Sequence, residues 1–137
     1  MDKIKSQIEE VAKEYHLQII YAFGSRENEV LDVVNGKIEH LSSTPADLDI
    51  GVKAGRHLNL EEKVKLALIL EDIFNIAKVD VVDIPEAPIF LALEIVKGGL
   101  LYAKDLTHEA EYQLYILRRA AEFVPYERMK QKMILGV

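Results

Sequence analysis

The chain contains no cysteine, and its basic residues fall short of its acidic ones, 17 against 23. Without cysteine there can be no disulfide and no zinc–thiolate site. The shortage of lysine and arginine leaves a net charge of −6. Nucleic-acid binding relies on basic surface that neutralises phosphates, so this balance argues against a nucleic-acid substrate. It is compatible with a basic protein partner. Long apolar runs are also missing: the longest, residues 87–93, is interrupted by Pro88 and is far too short to cross a bilayer. No basic-then-apolar segment opens the chain, which points to the cytoplasm. There is no P-loop, no GxGxxG, no zincin motif and no Ser/His/Asp arrangement. The four histidines, at positions 16, 40, 57 and 108, show no ligand spacing and are expected on the surface or in turns. Internal repeats and low-complexity segments are absent.

What is present suits one globular domain over residues 1–137: half of the residues are hydrophobic and 29% are charged. The chemistry gathers around two stretches. Leu17–Phe23 is apolar at nearly every position, as a central strand is, and runs into Gly24-Ser25. Glycine permits a tight turn and close approach of a phosphate to the backbone, and the Ser25 hydroxyl and nearby N–H groups can donate to phosphate oxygens. An isolated Gly-Ser is usually an ordinary turn. Here a second strand follows, opening with Asp47-Leu48-Asp49-Ile50. Strand side chains alternate faces, so Asp47 and Asp49 point the same way, their Cα atoms roughly 6.6 Å apart. That spacing lets two carboxylates bracket a pair of hard cations about 3.5–4 Å apart. The bland alternative is two solvated charges at a strand end. A third carboxylate is available in residues 78–84, which also read as a strand. Asp80, flanked by valines, is costly there unless paired or metal-bound. Asp83, just before Pro85, is expected to face solvent or cap the next helix.

The remaining segments read as follows. Residues 2–15 form a helix capped by Asp2, with Ile4, Ile8, Val11, Ala12 and Tyr15 on one buried stripe. Residues 29–41 carry a hairpin signature, two apolar segments joined by Asn35-Gly36, a pair that favours the type I′ turn. The hairpin either shapes the site or is a passive insertion. Lys53 and Arg56 lie in a short basic loop that either meets a triphosphate or is simply solvated. Asn59 and Glu62 make a capping box for a helix over 60–76, whose apolar residues are broad enough to imply burial on more than one side. Pro88 starts another helix and Gly98-Gly99 ends it. A short strand over 100–103 follows, then a long helix over 105–124 in which Glu109 and Glu111 suit the dipole. Pro125 is expected to break that helix, leaving a terminal one with Tyr126, Met129, Met133 and Ile134 as an apolar stripe. Such a helix either packs on its own domain or docks a partner, and its methionines suit an adaptable surface.

Taken together, Phe23-Gly24-Ser25-Arg26, Ala46-Asp47-Leu48-Asp49-Ile50-Gly51-Val52 and Lys78-Val79-Asp80-Val81-Val82-Asp83-Ile84 resemble the minimal nucleotidyltransferases of the polymerase β superfamily. Within it the closest resemblance is to the MNT-type antitoxins that pair with HEPN toxins, and it covers nearly the whole chain. The resemblance implies an α+β fold, a small mixed sheet flanked by helices, with the hairpin as an insertion between the Gly-Ser and Asp-x-Asp motifs. It implies a catalytic and metal-binding set of Asp47, Asp49 and Asp80 holding two Mg²⁺ ions, with ATP as substrate. Gly24 and Ser25 would hold its β- and γ-phosphates, assisted by Arg26. The acceptor it implies is a tyrosine of a HEPN-domain toxin, silenced by adenylylation. Two alternatives stand beside this: a small-molecule acceptor such as an aminoglycoside, or a binding module that neutralises its toxin by association alone. Family members often carry serine where Ala46 stands, so one hydrogen bond to a carboxylate is missing here. Self-association is left open.

Overall fold

The computed structural model describes residues 3–44 and 46–135, which leaves the expected Asp2 cap outside the described residues. Four strands, β1 (Leu17–Phe23), β2 (Leu48–Ala54), β3 (Val79–Asp83) and β4 (Gly99–Ala103), form one sheet in the order β3-β2-β1-β4. β1 runs antiparallel to both β2 and β4, while β2 and β3 are parallel. A parallel pair needs a crossover, and α3 (Leu60–Phe74) supplies it.

β1 is apolar throughout because both its faces are covered. Ile20 and Ala22 pack with α1 (Lys3–Glu14), α2 (Glu27–Val34) and α3. Ile19, Tyr21 and Phe23 pack with α4 (Ile89–Val96) and α5 (Leu106–Leu135). Gly51 admits α4, since a Cβ there would collide with Ile95. Buried Glu109 of α5 accepts a hydrogen bond from the Tyr21 hydroxyl, which ties the last helix to the central strand. β1 and the capping box at Asn59 and Glu62 stand where the sequence puts them.

Four expectations are corrected. Residues 29–41 are not a hairpin: Glu27–Val34 is helical and the rest is irregular loop. The valines that suggest a strand, Val30, Val33 and Val34, lie at helical spacing and are all buried. Asn35-Gly36 then ends the helix instead of turning a hairpin. Gly36 takes φ +77°, its N–H donates to Val33 O, and the Lys37 N–H donates to Asp32 O, a Schellman stop.

Second, α3 buries one side only. Leu66, Leu70 and Phe74 enter the core while Leu60, Val64 and Leu68 are exposed. Third, Pro125 does not break α5. Proline's fixed φ is itself helical, so its cost is one lost hydrogen bond and a clash within a helix whose flanks stay helical. Beyond Ala120 every described side chain of α5 is exposed, so the apolar stripe does not pack on its own domain. Fourth, Asp83 is buried, 8% exposed, and makes no cap hydrogen bond at the 3₁₀ turn Ile84–Glu86 that follows it.

Candidate active site

The site lies where β1 ends and β2 and β3 begin, on the α4 side of the sheet. Asp49 stands opposite Phe23 on β1 and opposite Asp80 on β3. The parallel register therefore brings two carboxylates from separate motifs side by side on one face. Asp47 precedes β2 and joins them: the Lys78 ammonium is 3.5 Å from Asp47 Oδ2 and 3.9 Å from Asp80 Oδ1. All three carboxylates are half-buried, with the side chains of Asp47 and Asp80 39% and 47% exposed. Burial pushes the Asp49 carboxyl above its ordinary range, and the like charges of Asp80, Asp47 and Glu94 add to this. Repulsion of this kind is relieved by a bound cation, and a lysine ammonium already shared by two of the three acids shows the attraction. The donor set, all carboxylate oxygen, fits a hard divalent ion.

Gly24 caps this arrangement. It holds φ +80°, a region that disfavours L side chains, and an added Cβ would fall on the Asp49 carboxylate. Glycine is thus required both by the turn and by the neighbouring acid. Gly24 and Ser25 are exposed at the mouth of the site, just ahead of α2. No side chain caps the amino end of α2, which leaves its positive dipole end facing the turn, partly offset by Glu27 and Glu29 in its first turn.

The Arg26 guanidinium turns inward, onto the loop that precedes Asp47. It is 3% exposed and donates to Ala46 O at 3.0 Å, Ser42 O at 2.7 Å and Glu29 Oε1 at 3.0 Å. The Arg26 hydrogen bond, with that of the Ser42 N–H, lowers the Glu29 carboxyl to about 2. A buried guanidinium needs its donors satisfied, and loop carbonyls beside Asp47 satisfy them. Arg26 therefore positions Asp47 through the backbone of Ala46. The same loop forms, with the end of α3, a cleft of about 340 Å³ beside Asp47, lined by Ser42, Thr44, Asn75 and Lys78 among others.

Lys53 and Arg56 lie at the other end of β2. The Lys53 ammonium binds Gln18 and sits over the Tyr112 ring, while Arg56 pairs with Glu62. Glu94 is a residue the sequence reading missed. It is the one charged side chain in α4, Ile89–Val96, and it acts on Asp49 from the opposite layer. A lone acid in an apolar helix was the available signal.

A family profile described as "Polymerase beta, Nucleotidyltransferase" matches residues 6–107. No curated protein sequence matches significantly. Among solved structures, a toxin–antitoxin complex with AMP-PNP contains a chain with a TM-score of 0.73 and 19% identity, the alignment covering 96% of this chain and 98% of that one. A complex of tri-AMPylated Shewanella oneidensis HEPN toxin with MNT antitoxin matches with a TM-score of 0.70 and 19% identity, covering 96% of each chain. A further Shewanella oneidensis chain matches at 0.65 and 20% identity, covering 98% of this chain and 97% of that one.

Proposed function

Because the chain belongs to the polymerase β nucleotidyltransferase family, with its α+β fold, we propose that it transfers AMP from ATP to a protein hydroxyl, a tyrosine of a cognate HEPN toxin. The observation that carries this reading is the register of Asp49 against Asp80 beside the Gly24 turn. Similar folds crystallised with AMP-PNP and with an AMPylated HEPN toxin support the nucleotide and the acceptor.

Asp47, Asp49 and Asp80 would hold two Mg²⁺ ions, which when bound supply charge neutralisation at the triphosphate and at the attacking oxygen. Gly24 and Ser25 receive the β- and γ-phosphates through backbone N–H groups and the Ser25 hydroxyl. Arg26 keeps Asp47 in place through Ala46 O. The acceptor hydroxyl forms a bond to the α-phosphorus as the bond to the β-phosphate oxygen breaks, and pyrophosphate leaves. Asp80, on the open side of the trio, takes the hydroxyl proton on its carboxylate. The protein forms no covalent bond, so catalysis is positioning and electrostatics.

The exposed apolar residues of α5, Tyr126, Met129, Met133 and Ile134, supply a surface for the partner. They also favour the second reading, neutralisation by association without chemistry. Asp49→Asn separates the two: the catalytic reading expects the complex to form while neutralisation is lost. Neutralisation that survives the substitution points to the binding module.

A further inference from the structure

We propose that His57, Asp83 and Glu86 form a second cation site, separate from the aspartate trio and suited to a first-row transition ion such as Zn²⁺. Each offers one ligand atom, and the three atoms lie within 4.8 Å of one another. They come from the β2–α3 loop, the end of β3 and the 3₁₀ turn, so only the fold assembles them, and nothing in the spacing of His57 points to its partners.

Three observations carry the assignment. His57 Nδ1 stands 3.5 Å from Glu86 Oε2. An ion held tetrahedrally at about 2.0–2.2 Å sets its ligands roughly 3.3–3.5 Å apart, so this pair already has the spacing. Lys63 Nζ binds the other Glu86 oxygen, Oε1, at 2.6 Å, which orients the carboxylate and leaves Oε2 toward the histidine. Asp83 is more than nine-tenths buried, yet its carboxylate caps nothing and lies beside another carboxylate, that of Glu86. Two adjoining carboxylates, one of them buried, need a proton or a cation between them.

One imidazole with two carboxylates selects Zn²⁺, Co²⁺ or Ni²⁺ over Mg²⁺, which favours oxygen alone. With His57 and Glu86 exposed, a water completes the tetrahedron. Asp80 and Asp83 lie on opposite faces of β3 about 10 Å apart, so the two sites fill independently. A bound ion would fasten the β2–α3 loop to the turn after β3.

The test uses the full, tag-free, metal-stripped chain in excess Mg²⁺, titrated with Co²⁺ and read by its visible absorption, with Zn²⁺ then used to displace it. We expect one equivalent of tetrahedral Co²⁺, displaced by Zn²⁺. His57→Ala and Glu86→Gln, both at exposed positions, weaken binding more than tenfold, and Asp49→Asn leaves it unchanged. The absence of saturable tetrahedral bands overturns the proposal. So does a signal that survives His57→Ala or disappears in Asp49→Asn. Neither failure touches the nucleotidyl-transfer reading, because no activity is measured.

Discussion

Single residues decide whether the three acids can be held together. Gly24→Ala puts a Cβ on Asp49 and forces a positive φ on an L residue, so stability falls by about 1–2 kcal/mol. Transfer falls much further, by a hundredfold or more, because Asp49 is displaced. Paired denaturant melts and transfer rates read the two effects. Asp49 itself should show the opposite split. Its folded carboxyl is raised, so without metal its charge burdens the fold at neutral pH, and stability rises as pH falls through its raised value toward 3.8. Metal-free Asp49→Asn should therefore melt no lower than the wild type at pH 7, lose that pH dependence and lose transfer. Arg26 is the structural counterpart. Arg26→Ala leaves the loop carbonyls of Ser42 and Ala46 without their donor and breaks the part-buried pair with Glu29, so it should lower the melting temperature as well as the rate. Its partner Glu29, lowered to about 2, contributes stability that is present above its ordinary 4.5 and lost as pH falls through about 2. Acid melts of Arg26→Ala should show a shallower loss across that window.

At the scale of elements, legibility followed the strength of the local signal. Leu17–Phe23 was readable because a strand covered on both faces is apolar at every position, and the start of α3 because Asn59 and Glu62 form a reciprocal cap. Residues 27–37 were not. β-branched valines favour strands and Asn-Gly favours hairpins, yet burial at Val30, Val33 and Val34 chose the helix. Gly36→Ala tests that reading. With nothing near its Cβ, the cost comes from the left-handed backbone alone, about 1 kcal/mol in a denaturant melt. α5 invites the reverse change. Pro125→Ala restores a helix hydrogen bond in a segment that touches no core, so far-UV helicity should hold or rise while the core melts as before. Met129→Asp with Met133→Asp should leave stability within about 0.5 kcal/mol and weaken binding of the proposed toxin partner.

For the molecule as a whole, the pairing of Asp47 with Asp49 was legible from their one-residue spacing at the entry to β2, and the valines around Asp80 mark a strand. What alternation does not contain is register, and only the β2–β3 pairing sets Asp49 against Asp80. Glu94 and the His57 cluster were hidden for the same reason, since their partners arrive from other layers. The inward turn of Arg26 was hidden because its acceptors are backbone carbonyls of a distant loop. The central claim is that this trio performs nucleotidyl transfer to a protein. It is tested most directly by incubating the chain with its cognate HEPN toxin, Mg²⁺ and α-labelled ATP, beside the Asp47→Asn/Asp49→Asn variant. The account predicts label on the toxin that requires Mg²⁺ and vanishes in the variant. A stable complex without label on the toxin would contradict it.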